Sequence, residues 1–132
     1  TVAQILGAQD DAEVVLTGGA LRATDGGLVG PIAVAGVDRF RPDVAVIGCS
    51  ALDAKGDVLD YDLAEIAVTQ AALRVARRRI LAADRSKRAR EAPARVARLS
   101  EFDGLVTDAP LPPSLRQLCV DAGTAVTVAQ PA

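Results

Sequence analysis

The chain has 132 residues, half of them hydrophobic, and a formal net charge of −2 at pH 7. This length fits one domain with one buried core. No apolar run approaches the ~18 residues that a membrane-spanning helix needs, and the sequence contains no histidine, the commonest general base. The two cysteines, Cys49 and Cys119, lie far apart, which favours reduced thiols in a cytoplasmic protein over a zinc site or a disulfide framework. No metal or cofactor is expected.

Because the chain contains no methionine and starts inside a helical pattern, we expect it to be a piece of a longer protein.

Short elements are predicted for the first 60 residues. The continuous apolar run DVAVIG predicts a strand that is covered on both faces. In chain order the expected elements are a helix within 1–11, a strand at 14–16, a glycine-rich hairpin or loop at 21–31, a helix starting at Pro31, the strand at 43–48, and a loop at 49–59 that turns at Gly56.

Helical and strand patterns alternate through the second half of the chain. Apolar residues three and four apart predict a helix at 61–79, with Asp62 and Glu65 forming a capping box at its start and Arg77–Arg79 at its end. Further elements are expected as a strand at 80–83, a basic loop at 84–92, an extended segment near Val96, a strand at 104–108, a helix from Pro112 to Asp121 closed by Gly123, and a strand at 125–129. This alternation indicates an α/β fold built on a parallel sheet.

Polar segments follow the predicted strands. They are Thr17-Gly18-Gly19, Gly48-Cys49-Ser50, Asp84 to Lys87, and Thr107-Asp108. Since ligands of open parallel sheets bind at the carboxyl ends of the strands, these segments predict a pocket there. Gly18 and Gly19 indicate either a tight turn or a close approach of the backbone to a ligand. The glycine-rich stretches fit neither the dinucleotide fingerprint nor a P-loop.

Basic charge is concentrated between residues 74 and 98, which contain ten of the 15 basic residues. A nucleic-acid surface is one interpretation, but the acidic overall charge and the presence of only three aromatic residues argue against it. Two interpretations stay open: a solvated surface, and an anion site for a small ligand.

Three side chains are candidate ligand contacts, each with a structural alternative. Lys87 could place its charge on a phosphate, with Ser86 donating a hydrogen bond and Asp84 orienting the lysine, or it could be a surface lysine. Glu65 could complete the helix cap or accept a sugar hydroxyl. Asp53 could bind a hydroxyl or be a solvated loop acid.

The order of these motifs resembles the effector-binding domain of DeoR-family bacterial transcription regulators. The resemblance covers about residues 10–129 and rests on six segments in order: VVLTGGALR, GGLVGP, FRPDVAVIGCSALDAKGDVLDYDLAEIAVTQA, ILAADRSK, RVARLSEFDGLVTDAP and AVTVA. It implies a three-layer, Rossmann-like α/β fold with a mostly parallel sheet, related to ribose-5-phosphate isomerase. It also implies a phosphorylated sugar or similar metabolite as inducer, in a protein that we expect to form homo-oligomers.

The resemblance to these isomerases implies roles for two residues. They end a strand on Ala-Asp-x-Ser-Lys, which matches residues 83–87, and their lysine contacts substrate; this implies Lys87 as a ligand contact. Glu65 matches the position of a catalytic glutamate. The expected ligand site then consists of Gly18, Gly19, Gly48, Ser50, Asp53, Glu65 and Lys87.

The sequence differs from these related proteins at residues 47–50. The isomerase motif Asp-Gly-Ala-Asp is replaced by residues 47–50, Ile-Gly-Cys-Ser, so both aspartates are missing. Without them and without histidine, proton transfer between sugar carbons lacks its acid and base. We therefore expect a binding protein and no enzyme, with an isomerase-like or hydrolase-like enzyme and an interaction module as the alternatives. Ser50 also replaces an acid that is frequent in DeoR relatives.

Two family elements are expected to precede this sequence. One is the winged helix-turn-helix, through which alone DNA would be contacted. The other is the first strand of the effector domain with its Asp-Ser-Gly-Thr-Thr phosphate loop. Under this interpretation residues 1–132 are a partial effector-binding domain that neither crosses nor binds a membrane.

Overall fold

A computed structural model describes residues 2–130 of the chain. Its helices are α1 (Val2–Gly7), α2 (Pro31–Asp38), α3 (Leu63–Val75) and α4 (Pro113–Ala122). Its strands are β1 (Ala20–Leu21), β2 (Leu28–Val29), β3 (Val44–Ile47), β4 (Ala51–Leu52), β5 (Asp57–Asp60), β6 (Arg78–Ala82), β7 (Ala94–Arg98), β8 (Gly104–Thr107) and β9 (Ala125–Val128). Short 3₁₀ segments occur at Arg85–Ala89 and Leu99–Glu101.

The main sheet has four parallel strands in the order β3-β6-β8-β9. Helix α3 lies between β3 and β6 in sequence, and α4 lies between β8 and β9, as parallel connections require. This confirms the α/β fold with a mostly parallel sheet. The helix that begins at Pro31 is also confirmed, as is the helix that Gly123 ends in a left-handed conformation.

Two smaller sheets flank the main one. Strands β1 and β2 form the hairpin expected in the glycine-rich region, and β4, β5 and β7 form an antiparallel sheet. The prediction of a loop at 49–59 is therefore wrong, although Gly56 does turn the chain with a φ of +84°. The strands form there because Leu52 and Val58 are fully buried and need a paired backbone.

One hydrophobic core joins the main sheet to the elements on one side of it. Leu81 and Leu105 of the parallel strands pack in one cluster with Val58 of the small sheet, Ile66 of α3 and Leu115 of α4. With only three aromatic residues in the sequence, aliphatic side chains fill this core almost entirely.

The opposite face of the main sheet is open among residues 2–130. Along β3, Ala45 is buried, whereas Val44 and Val46 are 44% and 67% exposed. Val106 of β8 is exposed as well. The expectation that strand 43–48 is covered on both faces is thus wrong, because alternate side chains of a strand point to opposite faces and one set has no covering layer here.

The boundary between α3 and β6 also differs from the prediction. The helix ends at Val75 because Ala76 adopts an extended conformation, with φ −75° and ψ 145°. Arg78 and Arg79 therefore belong to strand β6 and do not extend the helix to residue 79. The backbone N–H of Arg79 donates to Oδ2 of Asp103 at 2.8 Å, which fixes the beginning of this strand.

Residues 14–16 are the one predicted strand that does not form. Val15 and Leu16 are 59% and 66% exposed, and within residues 2–130 no strand pairs with this segment. An apolar tripeptide without a neighbour cannot satisfy its backbone in a ladder, so the chain runs here as an irregular segment into Thr17 and Gly18.

Candidate functional site

A cavity of about 590 Å³ lies at the carboxyl end of β3. The strand supplies its floor, the start of α3 supplies one wall, and the loop of the β1–β2 hairpin supplies another. The lining residues are Arg22, Thr24, Asp25, Val46, Ile47, Gly48, Cys49, Ser50, Asp60, Tyr61, Asp62, Glu65 and Thr69. Its position agrees with the rule that ligands of parallel sheets bind where the strands end.

Three of the predicted site residues line this cavity together. Gly48 and Ser50 come directly after β3, and Glu65 is in the first turn of α3. Apart from Gly48 and its two chain neighbours, no described heavy atom lies within 4 Å of the place where a Cβ on Gly48 would stand, so the glycine leaves open space above the strand end. Ser50 Oγ donates a hydrogen bond of 2.8 Å to Oδ1 of Asp60, which directs both side chains into the same wall.

Gly18 and Gly19 lie elsewhere, and packing accounts for them. Both have positive φ angles, +80° and +109°. A Cβ on Gly19 would stand 2.7 Å from the carbonyl oxygen of Val29 and 2.9 Å from Cβ of Ala33. The glycine pair therefore lets the chain pass close to the hairpin and α2, and it is not part of the cavity wall.

Asp53 also lies outside the cavity. Its Oδ1 accepts hydrogen bonds from the backbone N–H groups of Lys55 and Asp57, at 2.9 and 2.8 Å. The carboxylate thus stabilises the turn between β4 and β5, as aspartate commonly does in turns.

Lys87 is half-buried on the 3₁₀ segment that follows β6. Asp84 Oδ1 accepts the backbone N–H of Ser86 at 2.7 Å, and Asp108 Oδ1 accepts that of Arg85 at 2.7 Å. The Asp84 carboxylate shapes the backbone that carries Lys87. That it also orients the lysine side chain stays a prediction. The Ser86 bonds, together with the charges of Lys87 and Arg90, lower the pKa of Asp84.

Cys49 lines the cavity, and the charge of Lys87 acts on its thiol. Burial raises the pKa of the Cys49 thiol to about 11, and the positive charge of Lys87 opposes that rise. The carboxylates of Asp60 and Asp84 raise the pKa further. The 3₁₀ segment that carries Lys87 lies against β4, which begins directly after Ser50 of the cavity wall, although the Lys87 side chain is not part of the lining.

Glu65 shows which of its two predicted roles the fold uses. Asp62 caps α3 by accepting the N–H groups of Ala64 and Glu65, and these bonds lower the pKa of Asp62. The Glu65 carboxylate faces Arg22 instead, with 2.6 Å between Oε2 and Nη1. Burial and the charge of Asp60 raise the pKa of Glu65, while Arg22 lowers it. The side chain belongs to the cavity.

Arg22 and Asp60 line the cavity but are not among the predicted site residues. Arg22 lies in the hairpin, and its partner Glu65 is 43 positions away, so no local pattern could pair them. Asp60 ends β5, and the first three residues of this strand fall in the predicted loop 49–59.

Two kinds of feature are absent from residues 2–130. No group of three or more His, Cys, Asp or Glu side chains is placed to hold a metal ion. No helix in that range combines the length and the apolar character needed to cross a lipid bilayer.

Comparison with known proteins places these features in a family. The family model of the DeoR C terminal sensor domain matches residues 1–109. The glycerol-3-phosphate regulon repressor of Escherichia coli (strain K12) is 34% identical over 120 residues, which cover 91% of this chain and 48% of that protein. The repressor of the same name from Haemophilus influenzae is 39% identical over 105 residues, covering 80% and 41%.

A third relative extends the match to almost the whole chain. The HTH-type transcriptional repressor CsqR of Escherichia coli (strain K12) is 30% identical over 129 residues, which cover 98% of this chain and 49% of the repressor. The chain thus spans about half the length of the curated relatives that it matches. The chain belongs to the family of DeoR C-terminal sensor domains.

Proposed function

We propose that this chain is the effector-sensing domain of a cytoplasmic transcriptional repressor and that the cavity at the end of β3 binds a phosphorylated sugar or polyol. The observation that carries the proposal is the meeting of Gly48, Ser50 and Glu65 in one cavity, with the segment that carries Lys87 packed against β4 beside it. These groups supply what such a ligand needs: a cation for the phosphate, and acceptors for hydroxyl groups.

The cavity is polar enough to orient a small ligand. Ser50 can donate or accept hydrogen bonds, and the carboxylates of Asp60 and Glu65 accept them. Gly48 exposes backbone at the strand end, where no side chain blocks a ligand. A volume of about 590 Å³ falls within the range that is usual for small-molecule sites.

The names of the relatives select the first ligand to test. Two of them are repressors of a glycerol-3-phosphate regulon. Glycerol 3-phosphate combines one phosphate with two hydroxyl groups, which suits a cavity with one nearby lysine and several carboxylates. Larger sugar phosphates share the same chemistry and belong in the same experiment.

The mechanism we propose is a shift between two populations. The ligand binds one arrangement of the protein more tightly than the other, and that arrangement binds operator DNA less well through a helix-turn-helix outside these 132 residues. Within this domain the ligand would contact β3, the α3 start and the hairpin at once. Binding would therefore fix these three elements relative to each other.

Catalysis is not part of the proposal. Ile47 and Ser50 stand where the related isomerases carry two aspartates, and the hydroxyl of Ser50 is bound to Asp60. The carboxylates that line the cavity come from the hairpin loop, β5 and the start of α3, and not from the end of β3. The relatives are repressors by name, which agrees with a binding protein.

The test is calorimetry on the intact protein. Glycerol 3-phosphate, ribose 5-phosphate and fructose 6-phosphate would each be titrated, with glycerol, ribose and inorganic phosphate as controls. We expect at least one phosphorylated compound to bind more tightly than its unphosphorylated counterpart and to release the protein from its operator. Absence of binding by all three phosphorylated compounds would overturn the proposal.

A further inference from the structure

Arg22 is the charged side chain that joins the hairpin to the site. Its Nη1 lies 2.6 Å from Oε2 of Glu65 and 3.2 Å from Oδ2 of Asp62, and its Nε lies 3.6 Å from Oδ1 of Asp25. The arginine side chain is 23% exposed and the three carboxylates are 39–46% exposed. All four residues line the cavity.

These contacts tie together two elements that are far apart in sequence. Arg22 follows β1 in the hairpin, whereas Asp62 and Glu65 belong to the start of α3. Asp62 uses its other oxygen, Oδ1, to cap the helix. The guanidinium therefore rests on a carboxylate that the helix backbone already holds in place, and it approaches Glu65 from this fixed position.

The same geometry leaves Glu65 able to bind a ligand. A carboxylate has about four lone-pair sites, and the hydrogen bond from Arg22 to Oε2 uses one of them. Burial and the charge of Asp60 raise the pKa of this carboxylate overall, and the positive charge of Arg22 opposes that rise. A carboxylate held by a charge-assisted hydrogen bond is a strong acceptor for a hydroxyl group.

We infer that Arg22 is a positioning residue that sets the ligand specificity of the sensor. It holds Glu65 in the cavity as the acceptor for a ligand hydroxyl, so that the site selects phosphorylated compounds that carry a hydroxyl group away from the phosphate. This inference rests on the proposed function, because it assigns the Lys87 side of the same cavity to the phosphate.

The placement of the charged groups supports this division of the site. The 3₁₀ segment that carries Lys87 lies against β4, which begins directly after Ser50 of the cavity wall. Arg22 lies in the hairpin, and its guanidinium is already occupied by the carboxylates of Asp62 and Glu65. Of these two cations, Lys87 is therefore the one that is free to meet a phosphate.

The experiment compares two ligands that differ only in their hydroxyl groups. Glycerol 3-phosphate and n-propyl phosphate would be titrated by calorimetry into the intact protein and into Arg22→Ala, with inorganic phosphate as a third probe. We expect the native protein to prefer glycerol 3-phosphate by at least tenfold. In Arg22→Ala this preference should fall to below threefold, while the affinities for propyl phosphate and inorganic phosphate change less than twofold.

Two further variants separate positioning from a loss of structure. Arg22→Lys retains a cation but not the fork of the guanidinium, and it should restore part of the preference. Arg74→Ala is the matched control, because Arg74 makes a similar 2.8 Å ion pair with Asp38 outside the cavity; its preference should stay native. If Arg22→Ala does not fold, Glu65→Gln removes the same ionised acceptor in nearly the same shape and should lose the same preference.

The outcomes distinguish the two proposals. A native protein that binds both organic phosphates equally overturns the specificity inference and leaves the proposed function intact. The specificity inference is also overturned if Arg22→Ala weakens the binding of glycerol 3-phosphate, n-propyl phosphate and inorganic phosphate equally. Arg22 would then bind phosphate or support the fold. A native protein that binds ribose 5-phosphate or fructose 6-phosphate but neither of the two smaller compounds likewise overturns only the inference. Failure of every phosphorylated compound to bind overturns the proposed function.

Discussion

The backbone N–H of Arg85 donates a hydrogen bond of 2.7 Å to Oδ1 of Asp108, which joins the turn after β6 to the end of the neighbouring strand β8. On the other side of the turn, Asp84 accepts the N–H of Ser86. The acidic and polar residues that follow the apolar strand thus fix the backbone of the turn that carries Lys87. They explain why the polar sequence Asp-Arg-Ser-Lys follows soon after the end of β6.

The first prediction concerns the charge of Lys87. If its ammonium group contacts the ligand phosphate, Lys87→Ala should weaken binding of the phosphorylated ligand by roughly 1.5–3 kcal/mol, the range for hydrogen bonds to charged groups. The free energy of unfolding should hardly change, since no ion pair among residues 2–130 involves this lysine. Calorimetry and urea unfolding measure the two quantities.

A matched variant makes this test specific. Lys55 is exposed in the turn between β4 and β5, away from the cavity. Lys55→Ala removes the same charge from the protein and should leave the ligand affinity native. Equal affinities in Lys87→Ala and the native protein would show that Lys87 does not contact the phosphate.

The second prediction separates two glycines that look alike in the sequence. Gly48→Ala should change the free energy of unfolding by less than about 0.5 kcal/mol, because its Cβ enters open space. Gly19→Ala should cost on the order of 1–3 kcal/mol, because φ is +109° and the new Cβ would meet Val29 and Ala33. Urea unfolding measures both changes.

Ligand binding should show the opposite order. The methyl group at position 48 would occupy space that we assign to the ligand, so Gly48→Ala should lower the affinity. Gly19→Ala should leave the affinity of the folded protein native. If Gly48→Ala binds as tightly as the native protein, the ligand does not approach the end of β3.

The sequence predicted the strand ends better than the surfaces between them. The segments after β3, β6 and β8 were identified because an apolar run is followed at once by Gly48, Asp84 or Asp108. The strand 104–108, the helix ended by Gly123 and the last strand likewise follow from local signals. Such signals depend on neighbours in sequence, which the chain shows directly.

The parts that were missed depend on neighbours in space. Arg22 becomes a site residue through Glu65, which is 43 positions away. The second sheet needed the pairing of β5 with β7, and an extended piece near Val96 gave no hint of its partner. The helix end at Val75 has no glycine or proline to mark it; the chain leaves the helix at Ala76 so that Arg78 can enter the sheet.

The third prediction is that the site binds without turnover. Incubation of the intact protein with ribose 5-phosphate should give no ribulose 5-phosphate above the background, because neither aspartate of the isomerase motif is present at residues 47–50. Glu65→Gln is the control for any signal that is seen. Turnover in the native protein that disappears in this variant would identify Glu65 as a catalytic base and favour the enzyme.

The fourth prediction concerns the open face of the main sheet. Val44, Val46 and Val106 expose apolar surface in the four-stranded sheet, and β3 is an edge strand within residues 2–130. Such a surface tends to bind another chain. The 132-residue chain should therefore sediment as a dimer or a larger species.

Two variants locate the association. Val44→Lys places a charge on the open face outside the cavity and should shift sedimentation toward the monomer. Val120→Lys places the same charge on α4, where the valine is 69% exposed on the covered side of the sheet, and should have no effect. A native chain that sediments as a monomer would show that the open face does not drive self-association.

The last prediction tests the placement of Lys87 through Cys49. The pKa of about 11 lies well above the ordinary value of 9.0, which means ~100-fold less thiolate at pH 8. Because the thiolate is the reactive form, alkylation of Cys49 by iodoacetamide should be slow at pH 8 and should rise until the pH passes about 11. Mass spectrometry of the peptide that contains Cys49 gives the rate at each pH, and the midpoint of the curve gives the pKa.

Removing Lys87 should move this midpoint upward. The lysine charge favours the thiolate, so Lys87→Ala withdraws that stabilisation and raises the pKa of Cys49 further. Lys55→Ala changes the charge of the protein equally and should leave the midpoint unchanged. A ligand in the cavity should also protect the native thiol, because Cys49 lines the wall. If the midpoint is the same in Lys87→Ala as in the native protein, Lys87 lies too far from the cavity to serve a ligand bound beside Cys49.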